Sequence, residues 1–177
     1  MNIRLETKRL IILPLTAGQI HKYLKLDNSL EAELNLNKSS RTISPELKEA
    51  LEETILPNVL DTSKNYLFST LWTVILKEDN KMVADLCFVG EPNLMGEIEI
   101  GYGTYDSYRN KGYMTEAVSG MIQWAQTQSN VKSIIASTEK SNIASFAVLE
   151  KNNFIKYGET ETLFHWHIIT NISYTES

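Results

Sequence analysis

Two neighbouring stretches decide the reading: Glu97-Ile98-Glu99-Ile100-Gly101-Tyr102-Gly103 and, four residues on, Tyr108-Arg109-Asn110-Lys111-Gly112-Tyr113-Met114-Thr115-Glu116-Ala117. In the first, Ile98, Ile100 and Tyr102 alternate with Glu97, Glu99 and two glycines, the period of a strand with one apolar face. From Tyr113 to Gln128 the period becomes helical: Met114, Ala117, Val118, Met121, Ile122 and Ala125 share one side, and Thr115, Glu116, Ser119 and Gln126 the other. Gly112 stands at the junction, where the first N–H groups of a helix have no internal partner and point outward together. Such a turn is an anion cradle, with Arg109 and Lys111 at its rim and Gly112 letting the main chain approach a phosphate. Read alone it is equally a basic turn capping a helix. A P-loop is excluded because two glycines spaced ahead of Lys-Ser or Lys-Thr are absent, and a dinucleotide fingerprint because no third glycine follows Gly101 and Gly103 into the helix.

Outward from this segment, Val131 to Ser137 reads as a strand, and a strand–helix–strand step through residues 98–137 calls for a parallel pair. Asn142 to Asn152 reads as a second helix, and two closing strands follow around Phe154–Tyr157 and Thr162–Ile169. Upstream, Thr7 to Leu15 is a strand halted near Pro14, and Thr16-Ala17-Gly18-Gln19 has the spacing of a capping box before a short helix. Ser44-Pro45 opens another helix, expected to end before Pro57. Leu67–Leu76 and Met82–Val89 form a hairpin about a polar turn. These elements predict an α/β (α+β) fold: a mixed, mostly antiparallel sheet of six to seven strands with helices on both faces. Residues 5–170 are expected to form a single domain and residues 171–177 a frayed tail. The stretch 28–65 is expected to be a lid or acceptor wall.

At 177 residues, 42% hydrophobic and 22% charged, the chain has the composition of a folded domain. Its longest apolar run, Leu10 to Leu15, is far short of the ~20 residues needed to cross a bilayer. A formal charge of −5 makes nucleic acid an unexpected partner. Met1 to Glu6 has no leader-like pattern, so a cytoplasmic enzyme is expected. The single Cys87 reads as a buried thiol, and no metal site is expected because His165 and His167 lack a third ligand.

Arg109-Asn110-Lys111-Gly112-Tyr113-Met114 resembles the pyrophosphate loop of the GNAT superfamily of acetyl-CoA-dependent N-acetyltransferases, with Met114 where the family has Gly or Ala. Three more segments carry the likeness, in family order, to the ribosomal-protein-alanine acetyltransferase-like branch. Thr7-Lys8-Arg9-Leu10 with Pro14-Leu15 is similar to its opening strand, with Leu13 in place of a usual Arg. Glu97 to Tyr102 is similar to its central strand. Asn142-Ile143-Ala144-Ser145 with Val148 to Phe154 is similar to its second cofactor motif, Asn153 replacing the usual Gly. The likeness covers roughly residues 5–168.

The resemblance implies a splayed pair of parallel central strands, 97–103 and 131–137, with the pantetheine arm of acetyl-CoA entering between them. Cofactor contacts then fall on Ile100, Tyr102, Arg109, Asn110, Lys111, Gly112, Tyr113, Met114, Thr115, Asn142 and Ser145. A backbone N–H near Tyr102 or Gly103, freed by a bulge at Gly103, is expected to polarise the thioester. The amine acceptor, a small molecule or a protein N-terminus, must lose a proton before it attacks. Glu99 is the preferred base, with Glu97 or a water relay as alternatives, and Ser145 the candidate acid, because Leu149 occupies the place of the Tyr used by many GNAT proteins. Asn142 reads equally as a helix cap. A monomer or homodimer is expected. The alternative to an enzyme is a non-catalytic acyl-CoA-binding or regulatory module.

Overall fold

The computed structural model describes residues 3–170; the tail expected at 171–177 lies outside the described residues. The order of elements is β1 (Leu5–Glu6), β2 (Leu10–Pro14), α1 (Ala17–Lys25), α2 (Ser29–Glu33), α3 (Pro45–Glu49), a π-helical stretch (Ala50–Ile55) and α4 (Leu56–Leu60). Then come β3 (Leu71–Leu76), β4 (Lys81–Phe88), β5 (Glu97–Thr104), α5 (Tyr113–Gln126), β6 (Ser133–Glu139), α6 (Ile143–Lys151), β7 (Ile155–Glu159) and β8 (Leu163–Ile169). The strands form one sheet ordered β1-β2-β3-β4-β5-β6-β8-β7, antiparallel except for β5 beside β6. It holds eight strands, one more than the largest expected number. The segment expected as one strand over Thr7–Leu15 is instead the second arm of a tight hairpin, in which Thr7 N–H donates to Leu10 O at 3.0 Å.

Alternation along the strands divides the core. Leu10, Ile12, Trp72 and Val74 point to the face covered by α5 and α6, where Trp124 packs among Phe68, Trp72 and Phe88 with ring centroids 5.2 to 5.6 Å away. Leu71 and Ile75 face the other way, with Ile20 and Tyr23 of α1, Leu30 of α2 and Leu51, Ile55 and Leu56 of the 45–60 segment. Helices therefore cover both faces, and the stretch 28–65 forms a wall over the β2–β4 half of the second face.

Local signals explain most boundaries. Thr16 and Gln19 form the capping box, Ser44 caps α3 with Pro45 behind it, and Asn153 takes the left-handed conformation (φ 63°) just past α6. Pro57 does not stop its helix. The preceding turn is π-helical, with Leu56 N–H reaching Leu51 O, and Pro57 falls within the first two positions of α4. Among the described residues no helix is long and apolar enough to cross a membrane.

Candidate active site

The centre of the sheet is where the site is built. β5 pairs with β6 only through Glu97↔Ser133, Ile98↔Ile134 and Glu99↔Ile135, although β5 runs on to Thr104 and β6 to Glu139. Beyond Glu99 the two strands part, as the expected splay requires. On its other edge β5 stays paired to β4, and there Val89 N–H donates to Glu99 O and Tyr105 N–H to Val83 O, both at 2.9 Å. The odd residues of β5 thus turn their main chain to β4, and the even ones turn theirs to β6. Ile100 O and Tyr102 N–H are the first main-chain groups to look into the gap. Gly103 is corrected here: the β4–β5 register is unbroken through Asp85↔Gly103, so no bulge forms there and its N–H belongs to the β4 ladder. The nearest irregularity is one pair of strands away, at Val74/Ile75.

The phosphate-type loop leads from this gap into α5. Gly112 caps the helix with φ 77° and Asn110 is also left-handed at φ 61°. Glu116 N–H takes Gly112 O at 3.2 Å, and the main-chain N–H groups of residues 110–115 have no hydrogen-bond partner among the described residues. They form a row of donors at the positive end of a fourteen-residue helix, the arrangement a diphosphate fits. Met114, the residue that departs from the family pattern, is buried in the α5 side of the core. Thr115 O accepts from Asn152 Nδ2 at 3.0 Å, which fastens the end of α6 to the first turn of α5.

The charges arrange themselves differently from the expectation. Arg109 is turned back, its guanidinium 3.0 Å from Asp106 and its Nε donating to Thr104 O at 3.4 Å. Lys111 lies over the Tyr108 ring. The cation against the loop is Arg9, whose Nη1 donates to Lys111 O at 3.0 Å, whose guanidinium covers the Tyr113 ring and whose Nη2 would stand 3.4 Å from a Cβ on Gly112. Glu116 locks it there, accepting from Arg9 N–H (2.7 Å), Arg9 Nε (2.6 Å) and Thr7 Oγ1 (2.6 Å). Burial raises the Glu116 pKa, but these hydrogen bonds outweigh it and hold the carboxyl below its usual range. A groove of about 460 Å³ continues from Gly112 and Thr115 along the outer side of α5, with Lys8 and Lys151 among its lining residues.

Across the gap, Asn142 Oδ1 accepts Ser145 N–H at 3.2 Å, so Asn142 is the α6 cap, with its amide NH2 left for another partner. Tyr102 Oη donates to Ser145 O at 3.3 Å, which sets Ser145 beside β5. Leu149 is fully buried, and no Tyr stands in its place. On the opposite face, Glu97 accepts from Asn93 Nδ2 at 2.9 Å and closes the loop before β5. The Glu99 carboxylate accepts no hydrogen bond among the described residues, and the residue is half-buried. His165 Nδ1 shares a hydrogen bond with Ser137 Oγ, and Tyr157 packs on both His165 and His167.

Three features went unread in the sequence. Arg9 and Glu116 were visible as residue types, Arg9 within the quoted opening strand, but their partnership was not. Asp85, the one acid inside the apolar run of β4, accepts from Tyr23 Oη (2.6 Å) and Tyr105 Oη (2.8 Å). Desolvation pushes its pKa up to about 6 against the lowering effect of those bonds. The buried Arg41–Glu31 pair, with Arg41 also donating to Tyr23 O, fixes the 28–65 wall. Cys87, expected to be buried, is half-buried in β4, and desolvation, then the Asp85 charge, push its thiol up to about 11, which disfavours the thiolate.

Comparison with known proteins agrees with this geometry. The family described as "Acetyltransferase (GNAT) domain" matches residues 9–155. A Bacillus subtilis (strain 168) protein called "Uncharacterized N-acetyltransferase YjdG" is 29% identical over 95% of this chain and 99% of its own. The ribosomal-protein-S5-alanine acetyltransferase of Vibrio fischeri superposes with a TM-score of 0.68 at 20% identity, covering 96% of this chain and 98% of that one. RimL, a ribosomal L7/L12 α-N-protein acetyltransferase solved in complex with coenzyme A, gives 0.68 at 15% identity, covering 94% and 98%. With the loop, the splayed strands and the family match in agreement, the chain belongs to the GNAT family of acetyltransferases.

Proposed function

We propose that the protein moves the acetyl group of acetyl-CoA to a primary amine by direct attack, with no covalent enzyme intermediate. The row of unpartnered amides over residues 110–115 carries this reading, because it offers a diphosphate ready-made donors beside a cleft in the sheet. Arg9 holds that loop in shape and adds positive charge. Lys8 and Lys151 flank the groove along α5, which has room for the adenosine end.

Ile100 O and Tyr102 N–H supply an acceptor and a donor to the pantetheine arm and the thioester. Tyr102 N–H, aimed at the carbonyl oxygen as it gains charge, contributes about 3 kcal/mol to the transition state. An amine with a pKa near ~8 is mostly ammonium at neutral pH. Glu99 takes its proton, directly or through one water, since Glu97 is already engaged by Asn93. Ser145, whose main-chain carbonyl accepts from Tyr102 Oη, donates the proton of its Oγ to the departing thiolate.

The test is release of free thiol from acetyl-CoA with tetrapeptides, polyamines and amino sugars as acceptors. Turnover is expected for wild type, with a loss of about a hundredfold in kcat for Glu99→Gln. Folded protein that neither binds acetyl-CoA nor releases thiol would overturn the proposal, and binding without turnover would favour a non-catalytic acyl-CoA-binding module.

A further inference from the structure

Among the described residues, Ser29 Oγ, Glu31 Oε2, Arg41 Nε, Thr73 Oγ1 and Asp85 Oδ1 are buried side-chain polar atoms without a hydrogen-bond partner. Thr73 and Asp85 are register partners in β3 and β4, where a turn of the hydroxyl joins them. Ser29, Glu31 and Arg41 instead gather in α2 and the loop after it. Glu31 and Arg41 form an ion pair whose side chains are only 1% and 2% exposed, and Ser39 Oγ donates to Glu31 Oε1, the oxygen already engaged, at 2.5 Å. A buried ion pair offsets its loss of water only when its remaining donors and acceptors are also met. Here one carboxylate oxygen and one guanidinium N–H are left over.

Both residues line a pocket of about 240 Å³, together with Leu26, Asn28, Ser39 and Ser40, of which Leu26 and Ser40 are exposed. That volume equals about eight waters at ~30 Å³ each, more than one bridging water needs. Asn28 Oδ1 accepts Ser39 N–H at 3.1 Å, and its amide NH2 is left as a further donor. The unmet groups ask for a donor to Glu31 Oε2 and an acceptor for Arg41 Nε. A lone cation or a lone anion supplies one of these and upsets the charge balance of the pair. A molecule carrying an ammonium and a carboxylate on one carbon supplies both, adds no net charge, and makes charge-assisted bonds at each end.

We propose that this pocket binds a small zwitterionic α-amino acid, its ammonium donating to Glu31 Oε2 and its carboxylate accepting from Arg41 Nε and the Asn28 amide. The site lies apart from the acetyl-transfer centre. The link between them runs through Arg41, which donates to Tyr23 O at 3.0 Å and covers the Tyr23 ring, and through the Tyr23 hydroxyl, which donates to Asp85 in β4. Binding here does not require acetyl transfer and is measured without acetyl-CoA.

Calorimetry and thermal melts of the full chain test it, with L-alanine and L-serine as probes. N-acetyl-L-alanine, which lacks the ammonium, L-alanine amide, which lacks the carboxylate, and 1,4-diaminobutane, a cation only, are the controls. The expectation is saturable binding of L-alanine or L-serine with a Kd on the order of 1 mM, a raised thermal midpoint, and controls at least about tenfold weaker. Ser40→Trp, at an exposed position beside the pocket, is expected to keep the wild-type midpoint and lose about tenfold or more in affinity by blocking entry. Glu31→Gln is expected to lose the binding as well; because it breaks the buried pair and can unfold the chain, Ser40→Trp decides where it does. No saturable binding of either amino acid up to about 50 mM would leave the pocket to water and overturn the inference. So would controls that bind as well as the amino acids, which would remove the need for both charges, or binding undiminished in folded Ser40→Trp, which would put the ligand elsewhere.

Discussion

Arg9 sits where the loop, the helix start and the β1–β2 hairpin meet, and Glu116 fixes it by two of its own donors. Removing its side chain leaves Glu116 partly buried without its cation, which costs about 2 kcal/mol. Arg9→Ala is therefore expected to lower stability by that amount in denaturant melts and to weaken acetyl-CoA about tenfold. Arg109→Ala, cutting an exposed pair with Asp106, should change each by much less. Equal effects would contradict the assignment of the loop's cation to Arg9. Asp85 gives a pH test. Its folded pKa of about 6 lies above the ordinary value of 3.8, so the folded state binds its proton more tightly than the unfolded chain. Stability from this group is full below about pH 4 and is lost as pH rises through 6. Asp85→Asn, which cannot ionise, should thus gain about 2 kcal/mol relative to wild type between pH 4.5 and 7.5. A difference that is flat with pH would show that Asp85 keeps an ordinary pKa. None of this was legible in the sequence: Arg9 and Glu116 stand 107 positions apart, and pairing at that distance is a product of tertiary structure.

At the scale of elements, legibility followed the range of the forces. Periodicity and caps are local, so α1, α5 and α6 stand close to where their residues placed them, and Gly112 and Asn153 have the left-handed backbone their positions required. The tight turn at Thr7–Arg9 did not announce itself, because Glu116, far along the chain, supplies the acceptor for Thr7 Oγ1 and Arg9 N–H. Pro57 misled for a related reason: the π-helical register before it removes the conflict a proline poses in a regular helix. The expected bulge at Gly103 came from reading a strand glycine as a backbone device, whereas the β4 ladder continues past it undisturbed. α6 supports the cradle through one amide, Asn152 Nδ2, which bridges Thr115 O and Val148 O. Asn152→Ala should cost about 1–2 kcal/mol and weaken acetyl-CoA severalfold, read by melting and calorimetry together. Loss of stability with unchanged affinity would separate α6 from the cradle.

Over the whole molecule, one parallel pair in an otherwise antiparallel sheet does most to create the site. It opens a gap at the middle of the sheet, with the amide-bearing turn at one side, Ser145 across it, and Glu99 of β5 on the face away from α5. The two cores hold these parts from opposite sides, α5 and α6 on one face of the sheet and the 28–65 wall on the other. The order of elements already implied the parallel pair; the positions of Arg9, Asp85 and Arg41 emerged only in the folded chain. The central claim is that main-chain amides hold the diphosphate, and residue-resolved hydrogen exchange with and without coenzyme A tests it most directly. The account predicts that amides 110–115, which have no protein acceptor, exchange fast in the free protein and slow markedly when coenzyme A binds. Coenzyme A bound at saturation with those amides still exchanging at their free rates would contradict it.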